Sequence, residues 1–229
     1  MDSRLEDLRS TRNPKARIKI MKGHFATSNS HLNTYIDMST VKTRHNNARE
    51  TAKELANAYM TNATIDTIVC LDETEVIGTF MAEHLADSSQ MSLSAGNNIS
   101  VITPEYNMQG QIMFRDNKLR MIRNQQVLIL AASVTTGKTI MRAIESVLYY
   151  GGTVCGVCSI FSAVTKVAGM EIKTIFTSAD VPAYHAYDSL NCPMCQKGER
   201  VEALVNSFGY SKLESVSYTH LTLPTKRIV

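Results

Sequence analysis

Apolar and polar positions fall along the chain in blocks whose period changes. Val127 to Leu130 is wholly apolar, with the length and composition of a buried strand in a parallel sheet. A polar loop, Ser133 to Gly137, follows it. From Thr139 the residues Ile140, Ala143, Ile144, Val147 and Leu148 recur at helical spacing until Gly151-Gly152. The same order occurs earlier in the chain. The β-branched run Thr64 to Leu71 predicts a strand, and Asp72 to Glu75 a polar loop. Val76 to Ala86 predicts a helix with Ile77, Phe80, Met81 and Leu85 inward. Asn46 to Tyr59 predicts a helix capped by Asn46 or Asn47, with Ala48, Ala52, Leu55, Ala56 and Tyr59 on one face. Asn98 to Thr103, Thr153 to Phe161 and Ile172 to Phe176 predict further strands. Strands alternating with helices argue for an α/β fold, a mainly parallel sheet flanked by helices.

A strand, a hydroxyl-rich loop and a helix in that order build an anion site. Backbone N–H groups and the positive end of the helix dipole face the loop's occupant. Ser133, Thr135, Thr136, Gly137, Lys138 and Thr139 are therefore candidate phosphate-binding residues. Ala132 to Thr139 also satisfies a relaxed P-loop pattern, with Ala at the first Gly position. A P-loop normally opens its domain and needs enough later sheet to supply a metal-binding acid, so the late position argues against a P-loop NTPase.

Val134-Thr135-Thr136-Gly137, after a hydrophobic strand, resembles the phosphoribosyl pyrophosphate loop of type I phosphoribosyltransferases. Gly23-His24-Phe25, the turn around Ser28-Asn29-Ser30 and Tyr35-Ile36-Asp37 resemble the N-terminal segment of orotate phosphoribosyltransferases, which forms part of a hood over the base. The resemblance covers most of residues 18–213. It implies a type I phosphoribosyltransferase-like core with a small N-terminal hood, a homodimer, and transfer of phosphoribosyl to a nitrogenous base in nucleotide synthesis or salvage. Mg²⁺ is the implied cofactor. By position, Asp72, Glu73, Thr74 and Glu75 would meet the pyrophosphate and its metal, and their carboxylates suit Mg²⁺. The plainer reading has Asp72 and Thr74 capping the helix while Glu73 and Glu75 favour its dipole. Pro104 to Arg123 is polar, flexible-looking and broken by Gly110, and it corresponds to a mobile catalytic loop. Pro104-Glu105 stands where Arg-Lys is expected. Arg115 is the best available cation there and the candidate catalytic residue, against the plainer reading of a solvated surface arginine.

The resemblance breaks at Ala131 and Ala132, where the family carries two acids that face the ribose. Losing one charged acceptor to a sugar hydroxyl forfeits about 1.5–3 kcal/mol. That leaves an alternative function, a binding protein on the same fold that senses a nucleotide or phosphoribosyl pyrophosphate without turning it over.

Composition narrows the classes. The chain has 229 residues and a net charge of +3, with no basic tract, so one domain and no nucleic-acid partner are expected. The long uncharged run Ser146 to Thr165 contains Gly151-Gly152 and reads as helix end, turn and strand, so no membrane partner is expected. The charged N-terminus has no apolar signal region, and five cysteines point to reduced thiols in a cytoplasm. Residues 1–17 read as a disordered lead, 18–60 as hood segment and first helix, and 61–190 as the core. Residues 191–213 read as a C-terminal Cys-containing segment. Segment 214–229, ESVSYTHLTLPTKRIV, resembles translated cloning or adapter sequence and is expected to be non-native. Cys155 and Cys158 form a C-x-x-C on a predicted strand, where i and i+3 point to opposite faces, and read as packing residues. Cys192 and Cys195 form a second C-x-x-C in a turn context, half of a zinc knuckle. Zn²⁺ there needs two more ligands, for which His185 and a residue of a partner chain are the candidates. His24 and His31 read as surface or turn residues.

Overall fold

The computed structural model describes residues 2–28, 30–87, 89 and 91–213. The segment 214–229, expected to be non-native, lies outside them, as does Asn29 of the hood turn.

The chain opens with strands β1 (Glu6–Arg9), β2 (Arg17–Ala26) and β3 (His31–Asp37), paired antiparallel in sequence order. Residues 2–17 are thus not a disordered lead. The ladder from Glu6↔Ile20 to Arg9↔Arg17 satisfies their backbone, Leu5 and Leu8 pack on the core, and Arg12 pairs with Glu54 at 3.1 Å. Helices α1 (Ser39–Thr43) and α2 (His45–Asn57) follow, then β4 (Thr67–Cys70), α3 (Glu75–Ala86) and β5 (Ser100–Ile102). A short hairpin, β6 (Glu105–Tyr106) and β7 (Ile112–Met113), leads to α4 (Asp116–Leu119). Next come β8 (Gln126–Val134), α5 (Lys138–Tyr149), β9 (Thr153–Ser162), β10 (Lys166–Val167) and β11 (Met170–Thr177). β12 (Ala186–Tyr187), α6 (Pro193–Gln196), β13 (Ala203–Asn206) and β14 (Gly209–Lys212) complete the described chain.

The central sheet has the order β10-β11-β9-β8-β4-β5 and is parallel except for β10, as the alternation of strands and helices predicts. Its middle strand shows how two faces are made from one sequence. Leu128, Leu130 and Ala132 point to a core shared with α2, α3 and the hood. Val127, Ile129 and Ala131 point to the other face, against Ile140, Ala143, Ile144 and Val147 of α5. Burying each larger aliphatic side chain contributes about 1.5–3 kcal/mol. Cys158 is fully buried on β9 and Cys155 partly so, and burial pushes both thiols up, Cys155 to about 11. Both are packing residues, but on the same core rather than on opposite faces as i and i+3 would have it, because the ladder with β8 slips by one residue at Cys155, between Val127↔Val154 and Leu128↔Gly156.

One stretch departs from its sequence reading. The segment from Pro104 to Arg123 is less a flexible loop than a hairpin and a short helix. Ile112, Phe114 and Ile122 are buried with the α5 cluster, and the Ser146 hydroxyl donates to the Ile112 carbonyl at 3.0 Å. The C-terminal Cys-containing segment 191–213 joins the hood. β13 runs parallel to β2 through Ala203↔Phe25 and Leu204↔Ala26, so the C-terminal hairpin completes the hood sheet β12-β3-β2-β13-β14.

Candidate active site

The loops after β4 and β8 open on the same end of the parallel sheet, the end where α/β folds collect ligands. The hood and the β13–β14 turn close over them around a cavity of about 270 Å³. Asp72, Ser133, Thr135 and Thr139 make its polar side. Phe161 and Tyr184, edge to face with ring centroids 5.1 Å apart, make an apolar one. Burial pushes the Tyr184 phenol up to about 12, so it stays neutral and can donate a hydrogen bond at physiological pH.

The phosphate loop is tight. β8 runs through Val134, α5 begins at Lys138, and only Thr135, Thr136 and Gly137 lie between. Gly137 holds φ +77°, and a Cβ there would come within 2.5 Å of Val167 Cγ2, so both backbone and space require glycine. The first turn of α5 is thereby aimed at the loop, with Met141 N–H bonding the Gly137 carbonyl at 2.9 Å. Of the six predicted phosphate-binding residues, Ser133, Thr135 and Thr139 line the cavity. Thr136, Gly137 and Lys138 line a separate open groove on the other side of the turn, beside Arg142 and Lys166. Ala132, the supposed first position of a P-loop, is inside β8, so the long loop that a P-loop NTPase needs is not formed.

In the acidic loop, Asp72 and Glu73 take successive left-handed conformations, φ +57° and +61°. Each such non-glycine residue costs on the order of 1–3 kcal/mol and persists only where its surroundings fix it. Lys42 does the fixing. This buried lysine, 5% exposed, donates to the Asp72 carbonyl at 3.1 Å, the Glu73 carboxylate at 3.1 Å and the Ser207 carbonyl at 2.7 Å. Burial raises the Asp72 carboxyl above its ordinary value. Hydrogen bonds from Ser207 and from the Ala132 N–H, and the charge of Lys42, pull it the other way. Of the acidic loop only Asp72 is part of the cavity wall; Glu73, Thr74 and Glu75 are not. The Thr74 hydroxyl is buried and donates to the Leu71 carbonyl at 2.7 Å, and Glu75 accepts from the Thr103 hydroxyl at 2.8 Å. Neither Asp72 nor Thr74 caps α3 through its side chain.

Sequence reasoning passed over Lys42. Its one signal is a lysine beside Val41 at the end of the uncharged stretch Met38 to Val41. Arg115 was the cation singled out. It lies on the exposed side of the hairpin, with its guanidinium 2.6 Å from the Glu105 carboxylate, and is not part of the cavity wall. The Ala131-Ala132 pair also divides. Ala132 lines the cavity, whereas Ala131 packs toward α5. Only one of the two missing acids would have faced a ligand directly.

Cys192 and Cys195 are not grouped with His185. His185 stacks on Tyr187 with ring centroids 5.8 Å apart. The residues brought to the two thiols are His24 and His31, and the four ligand atoms lie within 4.8 Å of one another. His24 is 2% exposed, so its reading as a surface or turn residue fails. β2 and β3 pair as a hairpin and bring the two rings together.

No protein-family model matches the chain. An orotate phosphoribosyltransferase from Desulforamulus reducens is 28% identical over 180 residues, covering 78% of this chain and 86% of the relative. Among solved structures, the orotate phosphoribosyltransferase of Mycobacterium tuberculosis aligns with a TM-score of 0.51 at 16% identity, over 72% of this chain and 93% of that one. An adenine phosphoribosyltransferase from Thermoanaerobacter pseudethanolicus gives 0.50 at 13% identity, over 77% and 96%. A UMP synthase from Leishmania donovani gives 0.52 at 18% identity over 70% of this chain, which spans only 34% of that larger protein.

Proposed function

We propose that this orotate phosphoribosyltransferase-like chain, built on the type I phosphoribosyltransferase fold, transfers the phosphoribosyl group of phosphoribosyl pyrophosphate to a nitrogenous base. The observation that carries the reading is the meeting of the threonine loop and the Asp72 loop in one hooded cavity. Thr135, Thr139 and the first N–H groups of α5 hold the 5′-phosphate. Asp72, on the turn fixed by Lys42, faces the pyrophosphate. The base lies under the hood against Phe161 and Tyr184. Its nitrogen bonds to the anomeric carbon as the bond from that carbon to the pyrophosphate oxygen breaks, and pyrophosphate leaves. The chemistry needs alignment and charge neutralisation more than a side-chain base.

Mg²⁺ fits this site as a cation carried in with the substrate. One carboxylate in the cavity wall and the phosphates suit its preference for few protein oxygens; Asp72 is the residue that would hold it, with Glu73, paired to Lys42 on the same turn, beside it. Bound there, it would screen the charge of the pyrophosphate. Arg115, released from Glu105, is the further cation we assign to the pyrophosphate if the hairpin closes. The working form we propose is a cytoplasmic homodimer serving nucleotide metabolism, with pyrimidine biosynthesis the first branch to examine.

The test is calorimetric titration with phosphoribosyl pyrophosphate with and without Mg²⁺, then a screen of bases for pyrophosphate release. Tight Mg²⁺-dependent binding with turnover of one base supports the transferase. Tight binding with no turnover of any base would replace it by the sensor, the reading that Ala132 in the cavity wall favours. No binding refutes both.

A further inference from the structure

The grouping of two histidines and two cysteines lies on the hood and is no part of the cavity wall. His24 comes from β2, His31 from the start of β3, and Cys192 and Cys195 from the turn that holds α6. His24 Nε2 lies 3.0 Å from His31 Nδ1, 3.6 Å from Cys192 Sγ and 3.7 Å from Cys195 Sγ, while Cys195 Sγ lies 3.2 Å from His31 Nδ1. A tetrahedral metal with Zn–N near 2.0–2.1 Å and Zn–S near 2.3 Å sets nitrogen–nitrogen separations at roughly 3.3 Å and nitrogen–sulfur separations at roughly 3.5 Å. The nitrogen–sulfur spacings of 3.2, 3.6 and 3.7 Å bracket the second value, the nitrogen–nitrogen spacing of 3.0 Å is slightly shorter than the first, and all four ligand atoms lie within 4.8 Å of one another.

Hydrogen bonding among the four groups is a poorer account of the geometry. The other ring nitrogen of His24, Nδ1, lies 2.9 Å from the Glu199 carbonyl and donates to it. In the neutral ring that leaves Nε2 with a single lone pair. Three neighbours converge on that lone pair from within hydrogen-bonding range, and it can serve only one of them well. A cation at the common centre would be met by all four groups at once. The bond to Glu199 then plays the part a metal-bound histidine asks of its second nitrogen, fixing tautomer and ring orientation.

We propose that His24 Nε2, His31 Nδ1, Cys192 Sγ and Cys195 Sγ bind one structural Zn²⁺ that latches the C-terminal segment onto the hood. The chemistry selects the metal: two thiolates and two imidazoles in tetrahedral array favour zinc over Mg²⁺ or Ca²⁺. No position is left open for a water or substrate, so the site is structural rather than catalytic. Binding releases the thiol protons and closes a loop between residues 168 apart in sequence, where a metal clip gains most. The latch sits immediately before β13, whose turn carries Ser207 to the cavity.

The test is the metal content of the untagged full chain purified under reducing conditions, with exchange of the metal for Co²⁺. Expected are one zinc per chain and, with Co²⁺, the visible absorption of a tetrahedral site with sulfur-to-cobalt charge transfer. Cys195→Ser, at the exposed ligand, should lower Zn²⁺ affinity by more than about tenfold against a competing chelator, a loss at least as large as that caused by changing a group hydrogen-bonded to a metal ligand. Cys155→Ser, on β9 and away from the cluster, should leave it unchanged. Because these readouts need no substrate, they stand or fall separately from the transferase reading. Wild-type protein that neither retains zinc nor binds added Zn²⁺ or Co²⁺ would overturn the proposal. So would a Cys192–Cys195 disulfide under the same reducing conditions, or affinity unchanged in Cys195→Ser.

Discussion

Replacing Lys42 by Met keeps an unbranched side chain one atom shorter and removes its charge and its three donors. The wild-type ammonium donates to two carbonyls, those of Asp72 and Ser207, and to the half-exposed carboxylate of Glu73. Each bond from a charged donor to a part-buried carbonyl contributes about 1.5 kcal/mol at the low end of its range, and the solvent-screened ion pair adds little. The variant should therefore lose about 3 kcal/mol of stability, which for a chain of this size lowers Tm by roughly 6–12 °C. The loss should also depend on pH. Burial raises the folded pKa of Asp72, so its contribution to stability is fully present below the ordinary carboxylate range and is lost as pH rises through the folded pKa. Without Lys42 that folded pKa moves further up, because one of the influences lowering it is gone. The deficit of the variant should consequently be larger at about pH 8 than at about pH 5.

Function should fall with stability, because Asp72 and Glu73 sit in strained left-handed backbone that Lys42 holds in place. Weaker Mg²⁺-dependent binding of phosphoribosyl pyrophosphate, measured well below Tm, is the expected result. Scanning calorimetry at both pH values and titration calorimetry read the two effects. A Lys42→Met protein with Tm within about 2 °C of wild type and unchanged binding would refute the reasoning on both counts.

Ala131→Glu should unfold or severely destabilise the protein, because an unpaired carboxylate would be forced among the aliphatic residues of α5 at a cost of several kcal/mol, whereas Ala132→Asp should fold and raise the Asp72 pKa further; thermal melts and a pH titration of binding distinguish them. Thr135→Val should weaken binding of phosphoribosyl pyrophosphate by roughly tenfold, about one charge-assisted hydrogen bond, and Thr136→Val by much less, since only Thr135 lines the cavity; equal losses in titration calorimetry would contradict the placement.

The parallel sheet was legible because its strands are continuous apolar runs and its helices carry a clear 3.6-residue period. β8 and α5 came out within a few residues of their observed bounds for that reason. The opposite facing of Ala131 and Ala132 was also readable, since neighbours on a strand point to opposite sides. β1 was hidden by its charged composition. Its pairing with β2 rests on backbone bonds and on the packing of Leu5 and Leu8 more than on any alternation of its own. Lys42 was missed because α1 is only five residues long, too short for a period to mark which side chains turn inward. His24 and His31 carry no local pattern at all. Their meaning comes from the β2–β3 pairing and from a turn far along the chain.

The C-terminal segment gains its importance from what it holds. It is tied to the hood by the β2–β13 ladder, by the approach of Cys192 and Cys195 to His24 and His31, and by the Ser207 carbonyl on Lys42. The hydroxyl of the same serine is among the groups that pull the Asp72 carboxyl down. Ser207 thus touches both the carboxylate assigned to the pyrophosphate and the lysine that steadies it. Loosening the segment would leave the Val127, Ile129 and α5 core intact, because none of its residues belongs to that cluster. It would instead release the strained Asp72–Glu73 turn. The first effect of losing these ties is therefore a misshapen site on a folded sheet, with loss of binding preceding loss of the fold.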